Sequence, residues 1–276
     1  MPEIVKGDGE RELFNVLKLA DSLVRAGTPV ELANTVAERV GSLVKDGMRT
    51  DEIYRLAYKL LHKEEKISAA RYSIRRAILD LGPTGFPFED YVSELMRARG
   101  YAVKTRQMVR GKCATHEVDI VMQKDGKSIG AELKFHNEAG YKTDIKIALY
   151  VRARFTDIHE GAVLAHEEDH IHEGWLITNT KFTDAAVHYA MCAGIHLLGW
   201  DYPMKGNLAD IIHETKMYPV TVLSSLTGAE KTRLLAMNAP LCHTVMDNPE
   251  TLRRAGVPEK RLRHVIEEST ALCGIT

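Results

Sequence analysis

The sequence predicts a mixed α/β fold in the middle of the chain, set between two helical segments. Three observations lead there. Apolar residues recur at helical spacing from about residue 10 to 80. Between 101 and 135 the period falls to two, and helices and strands then alternate to about residue 200, as in an α/β domain. After residue 219 the chain reads as several short helices. Two breaks, Gly82-Pro83-Thr84-Gly85 and Tyr218-Pro219, divide these regions, because Gly and Pro interrupt helices and populate linkers. The expected units are 1–82, 83–218 and 219–276, each of ordinary domain size in a chain of 276 residues.

In the first unit, Leu13, Val16, Leu17 and Ala20 share one helical face. Thr28-Pro29 is an N-cap and first-turn pair for a second helix. Asp46-Gly47 makes a turn, and Thr50 caps a third helix with Ile53, Leu56, Ala57, Leu60 and Leu61 on its apolar face. A fourth helix spans about Ser68 to Leu79. In the middle unit, Phe88 to Arg99 is a helix, followed by strands at Tyr101–Val109, His116–Gln123 and Ser128–Phe135. Asp125-Gly126 is the turn between the last two. A helix over Thr143–Phe155, a buried strand at Trp175–Thr178, a helix at Thr183–Ala193 and a strand at Ile195–Trp200 complete it.

Composition excludes several classes. Hydrophobic residues at 45% and charged residues at 27% are those of a folded chain. A net charge of -1 leaves nucleic-acid binding to local patches. Cys113, Cys192, Cys242 and Cys273 form no CxxC pair and no zinc-finger spacing, so we expect reduced thiols in a cytoplasmic protein. No leader is visible at the start, and no apolar run approaches the roughly 18 residues of a membrane helix.

The middle unit carries the strongest chemical pattern. Glu132 and Lys134 lie two apart on a strand and leave one face, while Leu133 and Phe135 enter the core. Hairpin pairing brings Asp119, flanked by Val118, Ile120 and Val121, beside Glu132. Two carboxylates suit a hard cation such as Mg²⁺, which polarises phosphoryl oxygens and acidifies water. An adjacent ammonium stabilises developing negative charge. A Glu-x-Lys triplet alone is a common surface pair; its weight here comes from the preceding helix, the neighbouring carboxylate and the apolar flanks.

The runs GFPFEDYVSELMRARGYAV, HEVDIVM, GAELKF and GWLITNTKFTDAAVHYAMCAGIHLLGW, in order over about 85–202, resemble the PD-(D/E)xK nuclease superfamily, most closely its Mrr-like restriction endonuclease branch. The resemblance implies a restriction-endonuclease-like fold and metal-dependent cleavage of DNA phosphodiesters. Asp119 and Glu132 would hold Mg²⁺ or Mn²⁺, Lys134 would hold the attacking water, and Glu89 on the opening helix would join them. Many Mrr-like proteins carry Gln-x-Lys where this chain has Glu132-Leu133-Lys134; Glu-x-Lys is the commoner superfamily form. His136 and Glu117 share faces with the triad as neighbours of lower rank.

At the start, Ile4-Val5-Lys6-Gly7-Asp8-Gly9 precedes a helix with Asn15 and Lys18. A Gly-rich turn at a helix start attracts phosphate, although from these features alone a plain surface turn is favoured. VKGDG, the later DGMRTDEIYRLAYKLL and AARYSIRRAI together resemble the ATP-cone, a small regulatory nucleotide-binding domain, over about 3–80. That resemblance implies a mostly helical domain binding ATP or dATP through Val5, Lys6, Glu12, Asn15, Lys18 and Thr50. Gly7 stands where the family carries arginine.

Arg97, Arg99, Lys104, Arg106, Arg110 and Lys112 form a basic run that suits either a phosphate backbone or a solvated strand. Lys142, Lys146, Arg152 and Arg154, on the next helix, are further cations suited to face DNA. His166-Glu167-Glu168-Asp169-His170-Ile171-His172-Glu173 has metal-ligand spacing at His166 and His170, but reads first as a solvated loop. In the tail, Leu252 and Ala255-Gly256-Val257-Pro258 resemble a small helix-hairpin-helix or SAM-like module, with helical packing an equal alternative. The expected protein is thus a metal-dependent endodeoxyribonuclease, a homo-oligomer that binds DNA and is regulated by ATP or dATP. Two rivals stay open: a catalytically silent, nucleotide-responsive DNA-binding protein, and a nuclease for single-stranded DNA or RNA.

Overall fold

The computed structural model describes residues 1–7, 9–138, 140–167 and 170–274. At its start β1 (Glu3–Val5) and β2 (Arg11–Leu13) pair antiparallel, with Ile4 opposite Glu12. The Gly-rich turn therefore joins two strands and does not itself open a helix; its Asp8 lies outside the described residues. Helix α1 (Val16–Arg25) begins only after Asn15, whose side-chain oxygen accepts the amides of Leu17 at 2.9 Å and Lys18 at 3.2 Å. This late start corrects the expected apolar face. Ala20 is buried as expected, but Leu13 and Leu17 are exposed, and Leu19 and Leu23 are buried in their place.

Helix α2 (Val30–Gly41) has Pro29, not Thr28, as its N-cap. Gly47 makes the expected turn with φ +79°. Helix α3 (Thr50–Glu64) is capped by Arg49, whose amide donates to the Glu52 carboxylate at 2.9 Å, so Thr50 is the first helical residue. The single helix expected from Ser68 to Leu79 is two, α4 (Lys66–Tyr72) and α5 (Ile74–Leu79). The break falls at Ser73, whose hydroxyl donates to the Ala70 carbonyl at 2.8 Å and so competes with the helical ladder. Leu23, Val36, Ala37, Val40, Ala57 and Leu61 close this unit's own core.

The middle region opens with α6 (Phe86–Ala98) and continues through β3 (Ala102–Arg110), β4 (Thr115–Lys124), β5 (Lys127–Lys134) and β6 (Lys142–Thr143). Then follow α7 (Ile145–Ala165), β7 (Glu173–Thr178), β8 (Lys181–Phe182), α8 (Asp184–Ala193), β9 (His196–Leu198) and α9 (Leu208–Thr215). The central sheet has the order β3-β4-β5-β7-β9. The first three strands are antiparallel, and β5, β7 and β9 run parallel. Asp125 and Gly126 both take positive φ, 52° and 75°, as a tight two-residue hairpin turn requires.

Helix α7 runs ten residues past the expected end and stops where His166 turns left-handed at φ 54°. The His166–Glu173 run therefore begins at a helix end, and His166 and His170 share no helical turn. Ile171 is buried and the His172 amide bonds the Ser128 carbonyl at 2.8 Å, so this part is pinned to the sheet and is not a free loop. Glu168 and Asp169 lie outside the described residues.

Two layers cover the sheet. Phe88, Tyr91, Val92, Leu95 and Met96 of α6 pack on one face with Ile129, Ala131 and Leu133. Val151, Phe155, Ile158, Ala186 and Ala190 of α7 and α8 pack on the other. The apolar alternation of β3 and β4 reverses midway: Val103 and Ile120 face the α6 side, whereas Val109 and Val118 face the α7 side. The reversal centres on Arg106, at φ 51°, and Asp119.

The remainder is helical: a short 3-10 turn at Val220–Val222, α10 (Gly228–Ala236), α11 (Cys242–Asp247), α12 (Pro249–Arg254) and α13 (Glu259–Cys273). It shares the α6-side core through Tyr218, Val220, Leu223, Leu234, Val245 and Val265. In the α12–α13 turn, Gly256 has φ 82°, and Arg233 donates to the Ala255 carbonyl. Arg253 pairs with Glu250 and Glu259, and Arg261 with Glu230. The Gly256 turn, Arg253 and Arg261 are thus engaged from within the module.

Candidate active site

Asp119 sits where the β-ladders lapse on both sides, between the paired residues Thr105↔Ile120 and Gln107↔Val118 and just beyond Ile120↔Ala131. Its side chain replaces the missing ladder bond: Oδ2 accepts the Leu133 amide at 2.7 Å. The carboxylate is thereby held next to Glu132 on β5. Burial raises the carboxyl of Asp119 above its usual range. Burial also pushes Glu132 up to about 7, with Asp119 adding repulsion that Arg154 and Lys134 only partly offset. Glu89, on α6, is pushed up to about 6 by burial and then by Asp119. The three carboxyls sense one another, so negative charge concentrates at one end of the sheet.

Lys134 ends β5 beside this cluster and makes no ion pair among the described residues. Its strand end is held firmly. The Thr178 hydroxyl donates to the Lys134 carbonyl at 2.7 Å, and Asn179 clamps His136 by accepting its amide at 2.9 Å and donating to its carbonyl at 2.6 Å. His136 lies past the strand, not on its face. Its ring stacks on Tyr141 at 4.0 Å and meets the Thr143 hydroxyl at 3.2 Å, and burial pushes its pKa down to about 4.

Sequence reasoning missed two arginines as members of this cluster. Arg106 bonds Glu89 at 3.2 Å and Asp90 at 2.9 Å, so it leaves the expected phosphate-tracking run. Arg154 on α7 pairs with Glu132. Arg97 and Lys112 are also engaged, with Glu94 and Glu160, leaving Arg99, Lys104, Arg110, Lys142, Lys146 and Arg152 as the exposed cations of these two runs. A left-handed Arg106 in a strand leaves no mark in residue type, so no sequence signal could have found it.

The pair Asp119 and Glu132 fits a hard divalent cation. Burial leaves both carboxyls with raised proton affinity despite the nearby Arg154, and Mg²⁺ needs only one or two such ligands with water completing its shell. Among the described residues no three His, Cys, Asp or Glu side chains close into a metal cage, so this pair is the donor set available.

The N-terminal unit holds a cavity of about 160 Å³ lined by Glu12, Asn15, Lys18 and Thr50, with Tyr54 and Tyr72 among its walls. Those two rings stack at 5.2 Å, and burial raises the Tyr72 hydroxyl to about 12. Glu12 bridges Lys6 at 3.4 Å and Lys18 at 3.1 Å. Val5 and Lys6 lie on the adjoining hairpin edge, outside the cavity wall. The tyrosines were missed because their spacing reads as helix core. A larger cavity, of about 590 Å³, lies between Pro83, Phe86 and Asp90 and Lys231 of α10; Glu89, Asp119 and Glu132 do not line it.

A mixed sheet with helices on both faces and acidic side chains near the C-terminal end of β5 is the restriction-endonuclease class of α/β domain. The family models agree: the ATP cone domain matches residues 2–80, the restriction endonuclease model matches 83–201, and the AF1548-like C-terminal model matches 218–273. An uncharacterized protein of Archaeoglobus fulgidus is 34% identical over 184 residues, 66% of this chain and all of that protein. The crystal structure of the protein of unknown function AF1548 is 32% identical, with a TM-score of 0.57 over 70% of this chain and 100% of that one. The chain belongs to the Mrr-like restriction endonuclease family and carries an N-terminal ATP-cone domain. Among the described residues no helix is long and apolar enough to cross a membrane.

Proposed function

We propose that this chain is a divalent-metal-dependent endodeoxyribonuclease whose activity responds to ATP or dATP at the N-terminal unit. The observation that carries this reading is the half-buried Asp119–Glu132 pair with Lys134 at the same strand end, inside a restriction endonuclease domain. A bound cation would supply the charge that polarises the phosphoryl group and acidifies water. Asp119 and Glu132 would hold that cation, with the Leu133 amide orienting Asp119. Lys134 would orient the attacking water and meet charge developing on the phosphoryl oxygens. Glu89 would bind through water from the α6 side. The exposed cations on β3 and α7 are suited to the DNA backbone, and action on both strands would use a homo-oligomer.

The nucleotide reading rests on the cavity and on a connected set of contacts. Ligand pockets usually measure roughly 300–1,000 Å³, so a cavity of about 160 Å³ suits a nucleobase against Tyr54 and Tyr72, with phosphates outside it toward Lys18 and Lys6. Arg71, one residue before Tyr72, hydrogen-bonds Tyr218. Tyr91 of α6 donates to the Met217 carbonyl at 2.8 Å, and Glu89 lies two residues before Tyr91. Nucleotide occupancy thus has a packed route to a carboxylate of the site. We place the functional units at 1–82, 83–218 and 219–276, each near a family match.

The test is cleavage of supercoiled plasmid with Mg²⁺ or Mn²⁺, with and without ATP or dATP, by wild type and Lys134→Ala. Nicking or linearisation by wild type alone is expected. A gel shift that responds to ATP, with no cleavage under any divalent ion, would move the assignment to a silent DNA-binding protein.

A further inference from the structure

Arg154 is the least expected member of the site. Phe155, its neighbour on α7, packs its ring against Gly130 and Gly174, which face each other in the β5–β7 register. A Cβ would approach the Phe155 ring within 2.4 Å at Gly130 and 2.6 Å at Gly174. This close seat brings α7 down onto the sheet and delivers Arg154 to Glu132. One terminal nitrogen, Nη1, donates both to Glu132 Oε2 and to the Glu117 carbonyl, the latter at 2.9 Å. The other, Nη2, donates to the Tyr150 hydroxyl, and the guanidinium lies 4.6 Å from the Tyr150 ring centre. Nε is buried with no hydrogen-bond partner. The Arg154 side chain is 12% exposed.

This arrangement competes with a loaded metal site. The guanidinium occupies Glu132 Oε2, so a divalent ion would have to share the carboxylate with it, and two cations on one carboxylate repel at short range. Released from Glu132, Arg154 would stay in a poorly solvated site with unfilled donors, Nε among them. An uncompensated charge there is costly. The group that resolves this is a planar-fork acceptor with negative charge, and a phosphodiester supplies two oxygens in that geometry.

Resting on the nuclease reading, we propose that Arg154 is a cationic placeholder: it neutralises Glu132 in the metal-free chain and, when metal arrives, transfers to a phosphate of the bound DNA, with Tyr150 as its pivot. Metal loading and DNA binding are thereby coupled through one side chain. Metal alone must bind against Arg154, whereas metal with DNA offers the guanidinium a new partner.

The experiment measures Mn²⁺ affinity calorimetrically without DNA, and duplex affinity by fluorescence anisotropy in Ca²⁺. It uses wild type, Arg154→Ala, Arg154→Gln and Glu132→Gln, with melting temperatures confirming that each folds. Arg154→Gln keeps most of the stem and serves if the alanine variant fails to fold. Both arginine variants are expected to bind Mn²⁺ about tenfold more tightly, through loss of a competing charge at contact distance, and to bind duplex more weakly. Wild type is expected to bind Mn²⁺ more tightly when duplex is present, and the variants to lose that gain. Unchanged or weakened Mn²⁺ affinity in folded arginine variants would overturn the placeholder role. Wild-type Mn²⁺ affinity in Glu132→Gln would instead overturn the metal site itself, so the two failures are distinguishable.

Discussion

Tyr91, wholly buried on α6, donates its hydroxyl to the carbonyl of Met217, 126 residues further along the chain, at 2.8 Å. This bond joins the helix that carries Glu89 to the segment that meets Arg71 of the cone. Tyr91→Phe keeps the ring and removes the bond, leaving the Met217 carbonyl unpaired. Such a loss costs about 1–3 kcal/mol, readable as a lower denaturant midpoint. Cleavage without nucleotide should persist, while the difference made by ATP or dATP should shrink. An undiminished nucleotide effect in Tyr91→Phe would remove this contact from the route.

Lys134 separates chemistry from folding. It makes no ion pair among the described residues, so Lys134→Ala should melt close to wild type. Loss of a group that meets transition-state charge typically costs on the order of 100- to 1,000-fold in rate, and plasmid nicking should fall by that much. Asp119→Asn should lose both activity and some stability, since the Leu133 amide then meets a neutral acceptor. Equal nicking by Lys134→Ala and wild type would remove Lys134 from the site.

The difference between these two residues also marks what the sequence could reveal. Glu132 and Lys134 were legible because a strand of period two puts them on one face and sends Leu133, 8% exposed, into the core. The hairpin was legible from Asp125-Gly126. The reversal at Arg106 and Asp119 was not, because it needs a left-handed arginine that residue type does not announce. Arg154 was read as a DNA-facing cation; its burial depends on Gly130 and Gly174, distant in sequence and meaningful only once β5 and β7 pair. In the first unit the start of α1 slipped because the Asn15 cap outcompeted the apolar pattern, and that of α3 because Arg49, with its amide on the Glu52 carboxylate, holds the cap place expected of Thr50.

The carboxyl cluster predicts a pH dependence with a definite sign. An unfolded glutamate titrates near 4.3, whereas Glu89 and Glu132 are held near 6 and 7. Between those limits the folded chain binds more protons than the unfolded one, so metal-free stability should fall as pH rises from about 4.3 to 7. The two groups interact and should titrate as a unit. Divalent ions require the carboxylates, so their affinity should rise over the same window. Melting curves in EDTA and in Mn²⁺ across this range check both slopes, and Glu132→Gln should flatten them.

Gly130 tests whether α7 is seated as described. Gly130→Val should force Phe155 off the sheet, and overpacking of this kind costs about 1–3 kcal/mol or more. Urea unfolding should show the loss. Because Arg154 immediately precedes Phe155 on α7, the Glu132 contact should also loosen. A Gly130→Val protein as stable as wild type would mean that α7 sits farther from the sheet.

The cone cavity predicts that nucleoside and nucleotide should differ in how they respond to charge. A cavity of about 160 Å³ holds a base but no triphosphate, so the phosphates must meet Lys18 and Lys6 at its mouth. Lys18 already bonds Glu12 at 3.1 Å and is largely exposed, so its contribution to a phosphate should be screened by salt. ATP affinity should therefore fall as ionic strength rises, while adenosine affinity stays nearly level. Lys18→Ala should weaken ATP binding by roughly tenfold, the scale of one charge-assisted hydrogen bond, and leave adenosine unaffected. Tyr54→Ala and Tyr72→Ala should weaken both ligands, since the base is what they face. Calorimetric titration of the four proteins with both ligands separates the outcomes. If Lys18→Ala weakened adenosine as much as ATP, the phosphates would not lie at that mouth.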